Sequence, residues 1–95
     1  MNAAILKCIL LAQGYIDVSS TPIDEYAMAT LNRNFKGTQL EATVVEGKLN
    51  SVKLTMPKYK AESFNYSIKD YEQKSLSTKL TVQNEFTSVD CEITN

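Results

Sequence analysis

The stretch GTQLEATVVEGKLNSVKLTM, which runs from Gly37 to Met56, decides the fold class predicted from this sequence. Its apolar residues occupy every second position on both sides of Gly47: Leu40, Ala42, Val44, Val52, Leu54 and Met56. That spacing is typical of β-strands that bury one face and leave the other in water. We therefore predict two antiparallel strands joined around Gly47, with Leu40 opposite Leu54.

The alternation continues to the end of the chain and predicts three more strands. Their apolar residues are Phe64, Tyr66, Ile68, Leu76, Leu80, Val82, Val89, Cys91 and Ile93. Neighbouring strands must turn their apolar residues to the same face, and one register achieves this at all four connections. The predicted pairs are Val44–Asn50, Ala42–Val52, Leu40–Leu54, Met56–Phe64, Leu54–Tyr66, Tyr66–Thr78, Ile68–Leu76, Val82–Val89, Leu80–Cys91 and Thr78–Ile93. The pattern predicts a five-stranded meander, although it does not exclude another strand order.

Before Gly37 the apolar spacing is helical. The first predicted helix runs from about Asn2 to Gln13 and ends at Gly14, with a buried strand as the alternative. In the second, Thr21 is the N-cap, Pro22 takes the first helical position and Gly37 follows the last turn. The predicted fold class is therefore α+β. Two N-terminal helices (1–37) pack on one face of a five-stranded antiparallel sheet (38–95), and the 95 residues form a single domain.

Composition narrows the chemistry that the protein can perform. The formal net charge of −1 gives no overall attraction to nucleic acid or to an anionic membrane. Histidine is absent, so the usual general base and the commonest metal ligand are missing. The sequence holds no nucleotide-binding loop and no metal-ligand cluster. We predict a protein that is not an enzyme and that uses no cofactor and no metal.

The cysteines and the N-terminus bear on the compartment. Cys8 and Cys91 fit no zinc motif, and we predict two buried free thiols in a reducing environment. The apolar run near the N-terminus is interrupted by Lys7, so we read it as a folded segment rather than a signal peptide. No stretch approaches the ~20 apolar residues that a membrane span needs. These observations together predict a cytoplasmic protein.

Elimination of the other classes leaves protein binding as the predicted function. An inhibitor, adaptor or assembly subunit would use the polar face of the sheet or an open sheet edge, and dimerisation by strand addition is included. The candidate partner-binding residues are Lys53, Thr55, Lys58, Tyr59, Lys60, Asn65, Lys79 and Thr81. Small single-domain proteins of phages or mobile elements often have this character, which is an association rather than an argument.

Two alternatives remain open. The segment from Lys48 to Lys60 contains four lysines and no acidic residue, which could bind phosphate groups of a nucleic acid. The predicted register turns Phe64 and Tyr66 inward, so the sequence does not predict an aromatic platform for stacking bases. The second alternative is a small enzyme or ligand carrier with a pocket between the helices and the sheet.

Overall fold

The computed structural model describes residues 4–67 and 73–95, and these form eight β-strands and one short 3₁₀ turn. The strands are β1 Ala4–Ala12, β2 Tyr15–Ile23, β3 Met28–Phe35, β4 Thr38–Val45, β5 Lys48–Met56, β6 Ala61–Tyr66, β7 Ser75–Val82 and β8 Glu85–Thr94. The 3₁₀ turn, Pro57–Tyr59, joins β5 to β6. The predicted α+β class is therefore wrong, because no α-helix occurs in the described part of the chain.

The strands form two four-stranded antiparallel sheets. Sheet A has the order β2-β1-β8-β7, and sheet B has the order β3-β4-β5-β6. Strands that follow each other in sequence are neighbours around the molecule, and β8 returns to pair with β1. The result is an up-and-down sandwich with two seams, one between β2 and β3 and the other between β6 and β7.

The core lies between the sheets, where the inward side chains of both are buried. It comprises Leu6, Cys8, Leu10, Ile23, Leu31, Leu40, Ala42, Val44, Leu49, Val52, Leu54, Leu76, Val89, Cys91 and Ile93. Burial of each large aliphatic side chain contributes about 1.5–3 kcal/mol before chain entropy is subtracted. Because inward residues recur with a period of two, the outward residues of each strand form one of two solvent-facing surfaces.

The first predicted helix is in fact the strand β1. The prediction fails because both faces of β1 carry apolar residues. Leu6 and Leu10 point into the core, while Ile5 and Ile9 lie on the exposed outer face of sheet A. A strand with apolar residues on both faces loses the polar alternation that identifies it, and Ile5 and Ile9 are then four residues apart as on a helix. The alternative of a strand is confirmed for Ala4–Ala12, but only the inner face of that strand is buried. Asn2 lies outside the described residues.

The glycines that predict helix ends are in turns. Gln13 and Gly14 have φ of 53° and 79°, and Lys36 and Gly37 have φ of 53° and 73°. Two consecutive left-handed residues make the two-residue hairpin turn that matches the twist of antiparallel strands. A helix also commonly ends on a left-handed glycine. The same conformational requirement therefore gives the same sequence signal for two different structures.

The second predicted helix is the end of β2, the crossing from sheet A to sheet B and the whole of β3. Pro22 lies in β2, an edge strand, where its missing N–H is tolerated. The backbone N–H of Tyr26 donates to the Asp24 carboxylate at 2.8 Å, and that of Ala27 donates to the Asp24 carbonyl at 3.2 Å. Asp24 therefore closes a turn after β2 instead of opening a helix.

The predicted register is confirmed for most of the β4–β5 hairpin. Leu40 is opposite Leu54, as predicted, but a register shift after Thr43 puts Val44 opposite Leu49. On β7–β8, Leu76 is opposite Cys91. That pairing differs from the predicted one by an even number of residues, so the inward face is still the predicted one.

The predicted register fails at β6, and the consequence is large. Leu54 is opposite Ser63 and Lys53 is opposite Phe64, because a tight turn that ends at left-handed Lys60 shortens the connection from β5. An odd shift inverts a strand. Phe64 therefore points outward, and Tyr66 with it. The predicted β6–β7 pairing is also wrong, since these strands belong to different sheets. Ile68 lies outside the described residues.

Cys8 and Cys91 form a disulfide across the β1–β8 pair, so the prediction of free thiols is wrong. Their Cα atoms are 4.0 Å apart and both side chains are buried. The bond links the first strand to the last in the middle of sheet A. In residues 4–67 and 73–95 no helix is long and apolar enough to cross a membrane.

Candidate functional site

The candidate residues from the sequence lie on separate surfaces. Lys53 and Thr55 are on the outer face of sheet B, whereas Lys79 and Thr81 are on the outer face of sheet A. The prediction placed all four on one side of one sheet, and the division into two sheets separates them. Asn65 is at the seam between β6 and β7, where its amide donates to the Ser77 carbonyl.

The remaining candidates, Lys58, Tyr59 and Lys60, form the turn after β5. The Lys58 ammonium is 5.4 Å from the centre of the Tyr59 ring. Lys48 begins β5 and is therefore roughly 30 Å from this turn. Lys53, between them, forms an ion pair with Glu62 at 3.2 Å. The four lysines of the segment are spread along β5 and the turn after it, and they do not form one basic patch.

The outer face of sheet A carries an apolar patch that the sequence does not predict. We use the term for Ile9 and Leu11 of β1 with Val18 and Ile16 of β2. Ile9 is opposite Val18, and Leu11 is opposite Ile16, so the four side chains form a block on two neighbouring strands. Ile16 is 66% exposed and Val18 is 58% exposed. The sequence does not reveal the patch, because the helix predicted for this segment places the same residues in a core.

Charged and hydroxyl side chains lie beside the apolar patch on the same face. Lys7 of β1 is opposite Glu92 of β8, and Ile9 is opposite Asp90. The Ser77 hydroxyl donates to the Asp90 carboxylate. A shallow cavity of about 280 Å³ extends from Lys7 and Ile9 across β8 to β7. The apolar patch therefore lies on β1 and β2, whereas the outward residues of β8 and β7 are polar except for the exposed Phe86.

The outer face of sheet B has a different composition. Two rows of side chains cross its four strands: Asn32, Glu41, Lys53 and Phe64 in one, and Asn34, Gln39, Thr55 and Glu62 in the other. An open cleft of about 470 Å³ lies over both rows. We call it the polar cleft, lined by Asn32, Arg33, Asn34, Gln39, Leu40, Glu41, Lys53 and Thr55.

Two exposed aromatic rings flank the polar cleft on β6. Phe64 is 53% exposed and Tyr66 is 52% exposed, and their ring centres are 5.5 Å apart. Phe64 stands directly beside Lys53, which lines the cleft. The sequence does not predict this arrangement, because the predicted register turns both rings inward. The polar residues that alternate on each side of Lys36–Gly37 are a signal that could have identified the cleft.

Comparison of the chain with protein-family models, with curated proteins and with solved structures finds no match.

Proposed function

We propose that the protein is a small non-enzymatic assembly subunit that packs the outer face of sheet A against another protein subunit, a second copy of this chain. The observation that carries the proposal is the apolar patch. Outward positions of a half-buried sheet are ordinarily polar, and isolated exposed apolar residues need no explanation. A block of four on adjacent strands is the kind of surface that marks an interface.

The size of the face suits a subunit interface. Its four strands, of about nine residues each, measure ~19 Å by ~30 Å, or ~570 Å² in projection. A standard interface buries about 800 Å² of accessible surface on each partner. The accessible surface of a corrugated sheet exceeds its projection, so the whole face is large enough, whereas the apolar patch alone is too small.

The charges on the face favour a second copy as the partner. Lys7 and Lys79 contribute two positive charges, and Asp90 and Glu92 contribute two negative charges. A face with no net charge meets its own copy without net repulsion, which a two-fold interface requires. A strongly basic or acidic partner would gain nothing from it.

The other hypotheses have weaker support. Docking at a sheet edge is disfavoured because the four edge strands face each other in pairs across the two seams. Binding of nucleic acid is disfavoured because Lys48 and Lys53 of β5 and Lys58 of the following turn are spread over roughly 30 Å. The hypothesis of a pocket between helices and sheet requires α-helices, and the described residues contain none.

The compartment belongs to this proposal as well. The sequence predicts the cytoplasm, where thiols are kept reduced. A disulfide between Cys8 and Cys91 supports an oxidising compartment instead, because such bonds persist there. We therefore favour an oxidising compartment for the assembled protein.

Sedimentation analysis over a range of protein concentrations tests the proposal. The wild-type protein is expected to form a dimer, and Val18→Lys is expected to be monomeric because it places a charge in the apolar patch. Met28→Lys is the matched control, since Met28 is equally an exposed apolar residue on an edge strand, but of sheet B. A wild-type monomer at every concentration would overturn the proposal. Equal effects of the two substitutions would also overturn it.

A further inference from the structure

The polar cleft of sheet B carries a second inference, independent of assembly through sheet A. We propose that it binds a neutral oligosaccharide, with sugar hydroxyls hydrogen-bonded in the polar cleft and one sugar ring stacked on Phe64. The residue types, their lack of internal partners and the charge balance of the face each point to this class of ligand.

The residue types in the cleft are poor choices for strand stability. Asn is depleted in strands and Glu is disfavoured, whereas Thr, Val and aromatic residues are preferred. β3 nevertheless places Asn32 and Asn34 on its outer face, and β4 places Glu41 there. Elsewhere on the same face the chain uses Thr30 and Thr43. The polar cleft is therefore not explained by the needs of the sheet.

The cleft side chains have hydrogen-bonding capacity that the protein itself does not use. In the described ranges, 4–67 and 73–95, Asn32, Asn34, Gln39 and Glu41 make no side-chain hydrogen bond and no ion pair. Each amide offers an acceptor oxygen and two N–H donors, and the carboxylate offers acceptors only. Four such groups on neighbouring strands present donors and acceptors side by side.

A sugar fits this arrangement because each hydroxyl both donates and accepts. Two neighbouring hydroxyls of a sugar can pair with the N–H donor and the acceptor oxygen of one side-chain amide. The Glu41 carboxylate can accept a hydrogen bond from a hydroxyl that also accepts one from an amide. The two rows cross three strand-to-strand gaps, or about 14 Å. That span suits a short oligosaccharide better than a single sugar.

Phe64 supplies the apolar contact that sugar recognition needs. One face of a pyranose ring presents C–H groups, and the face of an aromatic ring is electron-rich and attracts them. Phe64 is exposed beside Lys53 in the same row as Asn32 and Glu41. A ring stacked on Phe64 would therefore continue directly into the polar cleft.

The charges on this face argue against a phosphate-bearing ligand. Glu41 and Glu62 stand in the two rows, and Lys53, the lysine of these rows, is paired with Glu62. Arg33 is paired with Asp17 at the seam. A nucleic acid would meet two carboxylates and no unpaired lysine or arginine in the rows that the structure describes, although Phe64 and Tyr66 could stack its bases.

The test is a titration of isotope-labelled protein followed by NMR. The probes are neutral hexasaccharides of glucose, xylose, mannose and N-acetylglucosamine, each raised to millimolar concentration, and a short single-stranded DNA. At least one sugar is expected to shift the side-chain amide signals of Asn32 and Asn34. Phe64→Ala is expected to weaken that sugar's binding about tenfold.

Phe86→Ala is the matched control, because Phe86 is an exposed phenylalanine on the outer face of sheet A. It should leave sugar binding unchanged. The proposal is overturned if none of the sugars shifts the cleft signals, or if the shifts map to sheet A. It is also overturned if Phe86→Ala weakens binding as much as Phe64→Ala. Salt-sensitive DNA binding at the same residues, without sugar binding, would replace it with the nucleic-acid reading.

Discussion

Arg33 of β3 forms an ion pair with Asp17 of β2 across the seam between the two sheets. The Arg33 Nε donates to Asp17 Oδ2 at 2.7 Å, and Nη2 donates to Oδ1 at 2.8 Å. Two parallel hydrogen bonds of this kind fix the orientation of both side chains. The bonds lower the pKa of Asp17 from its ordinary value of 3.8, with a smaller contribution from the Arg33 charge.

The lowered pKa of Asp17 predicts an acid-dependent loss of stability. Because the folded pKa lies below the unfolded one, the contribution is fully present above about pH 4 and is lost as the pH falls through the folded pKa. A double-mutant cycle with Asp17→Asn and Arg33→Gln, measured by urea unfolding, should give a favourable coupling at pH 7 that shrinks toward pH 2. A coupling of the same size at both pH values would contradict this account.

The disulfide predicts a large stability difference between oxidised and reduced protein. Cys8 and Cys91 are separated by 83 positions, so the bond closes almost the whole chain into one loop. The chain-entropy model assigns about 4.5 kcal/mol to a loop of this length, and measured losses are about 2–5 kcal/mol. Urea unfolding of a Cys8→Ala, Cys91→Ala variant should show a loss in this range.

Reduction of the wild-type protein provides the control for that measurement. The reduced wild type and the double variant should unfold at similar urea concentrations, and the oxidised wild type at a higher one. A thiol assay on the unfolded, unreduced wild type should detect no free cysteine. Two free thiols in that assay would show that the bond is absent from the protein.

The sequence predicts β4, β5, β7 and β8 as strands, and in each of them the apolar residues lie mainly on one face. The β4–β5 hairpin is such a case, and most of its register is confirmed. β1 is the opposite case, because Ile9 and Leu11 face outward while Leu10 faces inward. The pattern then contains no polar alternation to distinguish a strand from a buried helix. The outward apolar residues that make this segment resemble a helix are therefore the same residues that form the apolar patch.

The candidate binding surfaces are less accessible to prediction than the strands. Lys53 and Thr55 were identified and do line the polar cleft. Asn32 and Asn34 are not among the predicted residues, because the spacing of their segment predicts a helix. The face occupied by Phe64 depends on the length of the turn after Met56, and a slip of one residue there exchanges core for surface. Turn length at this connection is not encoded in the alternation of either strand.

Gly14 tests the assignment of the first hairpin turn. Its φ is +79°, and a Cβ built on it would meet nothing within 4 Å. Gly14→Ala should therefore cost about 1 kcal/mol from backbone strain alone. Gly14→Asn is the control, because Asn tolerates the left-handed conformation and should cost less. Urea unfolding measures both, and an Ala variant as stable as wild type would contradict the turn.

Asn32 tests whether the polar cleft is kept at the expense of stability. Asn32→Thr replaces a poor strand residue with a good one on an exposed face, and should raise the unfolding free energy by up to ~1 kcal/mol. The same substitution should weaken binding of any sugar found by the NMR titration, because an amide that contacts a hydroxyl is lost. Urea unfolding and the titration, carried out on one variant, measure the two effects separately.

Thr30→Asn is the reciprocal control for this prediction. Thr30 lies on the same face of β3 as Asn32, two residues away and outside the polar cleft. The substitution should lower stability by a similar amount and leave sugar binding unchanged. If Asn32→Thr were less stable than wild type, Asn32 would serve the sheet rather than a ligand. A functional cleft requires that Asn32→Thr raises stability and weakens sugar binding. It also requires that Thr30→Asn raises neither stability nor sugar binding.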